Sequence, residues 1–177
     1  MTLPFLTPAA RRLLLGACLV LAGAGAAQAD AYTDVQRLQQ AGKTAEALAQ
    51  ADRHIAAHPN DPQMRFVKAN VLSADGKTTE AIALLTQLTR DYPELPEPWN
   101  NLAVLHAGAG QLDEAQQALE AALRINPAYA TALENLGDVR VRQAALAYSR
   151  ARQLDAANPR LAPKIEALRT AVDVQPR

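Results

Sequence analysis

Cysteine occurs once in the 177 residues, as Cys18, histidine three times and tryptophan once, and aromatic residues make up 4% of the chain. One cysteine leaves no disulfide framework, no cysteine-based zinc site and, once the leader described below is removed, no cysteine nucleophile. A glycine-rich phosphate loop is also missing. His54 and His58, four apart, could offer two metal-ligand nitrogens on one helix face, but no third ligand stands nearby. His54 falls in a packing phase that Leu88 and Ala122 occupy further on, and His106 in the phase of Leu72. The Asp113-Glu114 pair sits at a helix start, where carboxylates are favoured by the helix dipole rather than by acid–base work. No metal, no cofactor and no enzymatic activity are expected.

The apolar run Leu13 to Ala27 is shorter than the ~18 residues of a spanning helix. It follows Arg11-Arg12 in a stretch without an acidic residue and ends in Ala27-Gln28-Ala29. Basic, then apolar, then A-x-A is the pattern of a secretory leader, so residues 1–29 are expected to be removed after Ala29 and the protein to be periplasmic or secreted. Leu15-Gly16-Ala17-Cys18 also has the form of a lipobox, but only five residues separate Cys18 from Arg12 and an apolar stretch follows it, which disfavours a lipoprotein. The arginine pair leaves the twin-arginine and general export routes both open.

Against this scarcity stands a strict periodicity. Proline recurs at Pro59, Pro93 and Pro127, glycine at Gly42, Gly76 and Gly110, glutamate at Glu46, Glu80 and Glu114, and alanine at Ala47, Ala81 and Ala115, always 34 apart. Apolar residues between these marks follow helical spacing, as in Leu84, Leu85 and Leu88. The stretch Trp99 to Pro127, with Leu102, Ala103, Gly110, Ala115, Leu119 and Ala122, resembles a tetratricopeptide repeat, whose length is about 34 residues. The fold class expected is therefore all-α, a solenoid of helix hairpins.

Three full repeats are expected, at about 31–61, 62–95 and 96–129. Thr44 and Thr78 are expected N-caps, and Tyr92 to Pro98, with three prolines, a stiff corner. A fourth repeat, 130–158, departs from the pattern. Ala144 stands where 110 + 34 would place the turn glycine, and no glycine or proline follows from Asp138 to Ala157. One continuous helix from about Thr131 to Ala156 is predicted, with a kinked pair as the alternative. Residues 159–177 read as a capping helix and tail, the helix starting at Pro159 or, preferably, with Pro163 at its first position, and Leu161, Ile165, Leu168 and Val172 on its apolar face.

The resemblance implies a concave groove, lined by the first helix of each repeat, that holds a peptide or helix of another protein. Transferred by phase, the groove-facing positions are Tyr32, Gln36, Phe66, Asn70, Asn100, Val104, Glu134, Asp138 and Arg142, with Gln39, Gln63 and Ser73 beside them. A family subgroup clamps the terminal carboxylate of chaperones with lysines and arginines. Here Asn70 and Asn101 keep two of the amide phases, but Phe66, Thr131 and Asn135 replace basic residues, so no such clamp is expected.

Charge is divided unevenly. Residues 30–139 hold 8 basic and 15 acidic side chains, and residues 140–177 hold 8 basic and 3 acidic. The basic end could meet an acidic partner, weakly an anionic membrane, or the acidic half of a second copy. No aromatic-interleaved basic stripe supports nucleic acid binding. The function expected is a non-enzymatic adaptor or scaffold of the bacterial cell envelope with a protein partner. The alternative is a self-assembling protein, dimeric through Leu146, Tyr148 and Leu154 on the long helix. Membrane attachment would come through an uncleaved or lipidated N-terminus, or weakly through the basic end.

Overall fold

The computed structural model of the chain describes residues 30–173, and the leader expected at 1–29, with Cys18, lies outside them. The described residues are all helix, turn and loop: α1 (residues 30–40), α2 (Thr44–Ala57), α3 (Pro62–Ala74), α4 (Thr78–Asp91), α5 (Pro96–Gly108), α6 (Leu112–Ile125), α7 (Ala130–Leu154) and α8 (Leu161–Asp173). They fall into two compact units, one through Val71 and one from Leu72 onward. No helix among the described residues is long and apolar enough to cross a membrane.

Each glycine of the 34-residue series performs the same turn. Gly42, Gly76 and Gly110 have φ of 73°, 75° and 77°, the left-handed region where a Cβ is disfavoured. The Gly42 N–H bonds the Gln39 carbonyl and the Lys43 N–H reaches back to Leu38. The Gly76–Ser73 and Lys77–Leu72 pair, and the Gly110–Ala107 and Gln111–His106 pair, repeat the arrangement. This is the Schellman motif, which satisfies carbonyls left open at a helix end.

The place where the next helix starts overturns the expected caps. Lys43 and Lys77, each the residue after the glycine, also stand at the N-cap of the next helix, with no side-chain cap hydrogen bond. Thr44 and Thr78 are already the first helical residues, one place too late to cap. Glu46 and Glu80 do lie in the first turns, and Glu46 pairs with Lys43 at 3.1 Å. Lys77 forms an ion pair with Asp75 at 3.0 Å, and that hydrogen-bonded carboxylate holds its ammonium pKa above the ordinary value.

The corners between hairpins use a different device. His58, Tyr92 and Asn126, spaced 34 apart, each offer a carbonyl to the N–H three residues on. Side-chain oxygens then accept from the backbone two residues on: Asp61 from Gln63, Asn126 from Ala128, Asn158 from Arg160. Pro62 and Pro96 occupy the first positions of α3 and α5, where a backbone N–H has no helical partner. The helix holding Trp99 thus begins three residues earlier, inside the proline-rich corner. Pro163 is not the first residue of α8 but its third, still within the first turn.

In the first unit, Val35, Ala47, Ala51, Met64, Val67 and Val71 form a buried cluster. In the second, α4 packs on α5, α5 on α6, α6 on α7 and α7 on α8. Its core is Ala103, Leu112, Ala115, Ala118, Leu119, Ala122, Ala132, Leu136 and Val139, with Trp99 and Tyr129 against it. Three alanines on α6 let its neighbours approach closely while the leucines fill the space around them. Where Ala144 replaces the turn glycine, α7 runs unbroken through 25 residues, one residue earlier at its start and two at its end than the pattern predicts.

Substituting Gly110 by alanine forces a Cβ into the left-handed region. With nothing within 4 Å of that Cβ, the penalty is conformational alone, about 1–2 kcal/mol. Gly137 lies inside α7 with equally open space, so Gly137→Ala should instead stabilise by roughly 0.4–1 kcal/mol. Urea unfolding followed by circular dichroism checks both signs. Burial, and secondarily the Glu97 carboxylate, push the Tyr129 phenol above its ordinary 10.0. The folded state therefore keeps that proton after the unfolded chain has lost it, and stability should fall as pH rises above about 10. A Tyr129→Phe variant should show a shallower decline in denaturant midpoint over that range.

Candidate functional site: a cleft between two first helices

A concavity of the second unit is built by spacing. On α5, Ala103, Val104, Ala107 and Gly108 lie on one side, and on α7, Asn135, Asp138, Val139 and Arg142 do the same at three- and four-residue steps. Leu119 of α6 closes the floor. The cleft holds about 300 Å³. Its base is apolar, since Ala103, Leu119 and Val139 are buried, and Val104, 49% exposed, stands at its wall. Its polar groups all come from α7: one amide, one carboxylate and one guanidinium. The Arg142 side chain is exposed and makes no ion pair among the described residues.

An amide link fixes the two walls. Asn135 Nδ2 donates to Asn100 Oδ1 at 2.9 Å, and Asn100 Nδ2 donates to Asn101 Oδ1 at 3.2 Å. Asn100 is buried, so its polarity serves this internal connection. A buried amide left without its partner would be costly, which makes the link a constraint on how α5 and α7 approach.

Of the nine groove positions derived from phase, Val104, Asp138 and Arg142 come together in this cleft. Glu134 is exposed but stands outside the lining, and Asn100 is buried behind it. Asn135 is the lining residue that phase placed only as a substituted clamp position; its 35-residue separation from Asn100, one more than the repeat, was the available signal. Phe66 and Asn70 are half-buried on α3, and Gln36 is exposed on α1. Tyr32 is committed elsewhere, because its hydroxyl donates to Asp61 Oδ2 at 2.8 Å and its ring lies against the first unit's core.

That same Asp61 oxygen meets His54 Nε2 at 2.7 Å, with both side chains largely buried. The His58 ring stands 4.7 Å from that of His54. The histidine pair is therefore a packing element tied to the corner residue that caps α3, a partnership invisible in the sequence because Asp61 reads there only as a helix stop. Among the described residues no group of three or more potential ligands is placed to hold a metal ion. His106 Nδ1 lies 2.7 Å from Gln111 Oε1 and braces the Gly110 turn. Asp113, in the first turn of α6, accepts from Gln143 Nε2 at 2.9 Å.

The three residues proposed for self-association separate. Leu146 and Leu154 are 63% and 79% exposed. Tyr148 is half-buried beneath α8, whose Lys164 Nζ stands 5.2 Å over its ring.

Two tetratricopeptide-repeat family models match the chain, one over residues 32–96 and one over 72–136, and together they span more than half of it. The chain belongs to the tetratricopeptide-repeat proteins. Among solved structures, the first such domain of Spaghetti (RPAP3), bound to the HSP90 peptide SRMEEVD, is similar with a TM-score of 0.59 and 17% identity, covering 64% of this chain and 90% of that one. The type III secretion chaperone SycD of Yersinia enterocolitica, in complex with a peptide of the translocator YopD, gives 0.59 and 15%, covering 66% and 95%. The second domain of human RPAP3, with the HSP70 peptide SGPTIEEVD, gives 0.57 and 23%, covering 64% and 95%. No curated protein matches the chain. At these identities the likeness is one of fold.

Replacing Asn100 by leucine would leave the Asn135 amide without its partner at the cleft wall. A loss of about 1–3 kcal/mol is expected, and a double change of Asn100 and Asn135 to leucine and alanine should lose less than the two single changes added together, as read by denaturant midpoints.

Proposed function

We propose that this protein is a non-enzymatic adaptor that holds a segment of another protein in the α5–α7 cleft, and that it works in the bacterial cell envelope after removal of residues 1–29. The observation carrying this reading is the cleft itself: an apolar floor of Ala103, Leu119 and Val139, a half-exposed Val104, and the exposed guanidinium of Arg142 on one rim. None of the nine lining residues is a histidine, cysteine, serine, threonine or lysine, so the lining suits recognition better than group transfer. An apolar base with a few fixed polar groups is how peptide-sized ligands are oriented. The similar domains crystallised or solved with peptides support the same use of the fold. The leader pattern at Arg11 to Ala29 supports export.

The segment bound would place a small apolar side chain against Val104 and an acidic group toward Arg142. The lining contains one arginine and no lysine, so it differs from a clamp for a chaperone terminus. Isothermal titration with a peptide ending in Glu-Glu-Val-Asp should give no tight binding, and submicromolar affinity would contradict the expectation. Crosslinking in the native envelope should trap a protein whose yield falls about tenfold in a Val104→Asp, Arg142→Glu variant, corresponding to ~1.4 kcal/mol. Unchanged trapping by a correctly folded variant would remove the cleft from consideration. Fractionation should recover the protein, lacking residues 1–29, with periplasmic contents.

A further inference from the structure

Ala132, Leu136, Val139 and Gln143 follow one another along α7 at steps of four, three and four residues. The first three are in the core, and the fourth bonds Asp113 in the first turn of α6. Arg140 reaches Glu120, further along α6, so the two helices run antiparallel and α7 passes the beginning of α6 at about Gln143. The same steps then continue through Leu146, Ala147, Arg150 and Leu154. The core-facing stripe of α7 thus extends beyond the helix that covers it, by ~17 Å over eleven residues. There its residues change from buried to exposed, Leu146 by 63% and Leu154 by 79%. α8 lies on the Tyr148 side and leaves this stripe open.

We propose that this overhang docks an acidic amphipathic helix from a partner protein, laid along α7 in continuation of α6. Charge selects the occupant. Arg150 stands between the two leucines, and neither it nor Arg152 makes an ion pair among the described residues. A second copy pairing antiparallel through the same leucines would set Arg150 against Arg150, a like-charge contact that opposes association. An anionic bilayer fits no better. Leu146 shares a depression of about 400 Å³ with Asp113 and Glu114, which headgroups would repel. A helix with leucine- or alanine-sized residues at three- and four-residue steps satisfies Leu146, Ala147 and Leu154, and its carboxylates belong at the far end, over Arg150, away from Asp113 and Glu114. This site is separate from the α5–α7 cleft, and the two can fail independently.

The test uses the purified protein and a fluorescein-labelled synthetic helix of leucine and glutamate in an amphipathic pattern, with a leucine–lysine helix of the same pattern as control. Anisotropy at low salt should show saturable micromolar binding of the first and not the second. Binding should weaken about tenfold or more with Arg150→Glu, and likewise with Leu146→Gln plus Leu154→Gln. These positions are exposed, and circular dichroism verifies that the variants remain folded. Equal binding of both helices, or indifference to the three substitutions, overturns the proposal. So does sedimentation of a dimer abolished by Arg150→Glu, or flotation of the protein with phosphatidylglycerol vesicles in preference to peptide binding.

Discussion

The structure depends on one backbone constraint: a residue with positive φ two places past the first helix of each of the first three repeats. Gly42, Gly76 and Gly110 meet it without a Cβ penalty, and the two backward hydrogen bonds around each glycine close the turn in three residues. Because the residue after the glycine ends one helix and begins the next, hairpin length is fixed and the period follows. The N-cap position falls on Lys43, Lys77 and Gln111, none of which makes a side-chain cap hydrogen bond. Lys43 and Lys77 occupy the cap position and are neutralised by Glu46 and Asp75.

From that constraint comes the cleft. The second unit packs first helices α5 and α7 beside each other over α6, and small residues at Ala103, Ala107 and Gly108 keep the space between them open where larger ones would fill it. The hydrogen bond from half-buried Asn135 to buried Asn100 sets their separation directionally, a finer specification than apolar contact alone supplies. Polar character on the α7 wall and apolar character on the α5 wall and floor make the cleft two-sided, so an occupant is oriented as well as held.

Much of this was legible in the residues because it is local. A glycine, a glutamate and an alanine at fixed offsets report a turn and the packing beneath it, and Ala144 in the place of a glycine reports the continuous helix. The three groove positions that meet in the cleft, Val104, Asp138 and Arg142, came from the repeat resemblance carried over by helical phase. What escaped was tertiary. Asn100 looks exposed by phase, yet it turns inward because Asn135 offers it a partner. Tyr32, His54 and Asp61 lie 7 to 29 residues apart and share one carboxylate oxygen, which no periodicity records. The threonine caps were misread because the sequence preference for threonine at a helix start does not reveal that the previous turn has already taken the cap position.

The unbroken α7 also divides the second unit energetically. Its first half carries Ala132, Leu136 and Val139 into the core, whereas no residue after Val139 on this helix is fully buried. The later turns are held chiefly by α8, in which Leu161 is the one buried side chain among the residues whose burial is described. Amide protons from about Arg150 onward will therefore exchange through local opening at a lower free energy than those of α6, and the end of α7 with α8 forms a separate cooperative unit. A helix without a hinge is continuous in geometry and discontinuous in stability, and the boundary lies where the missing glycine would have stood.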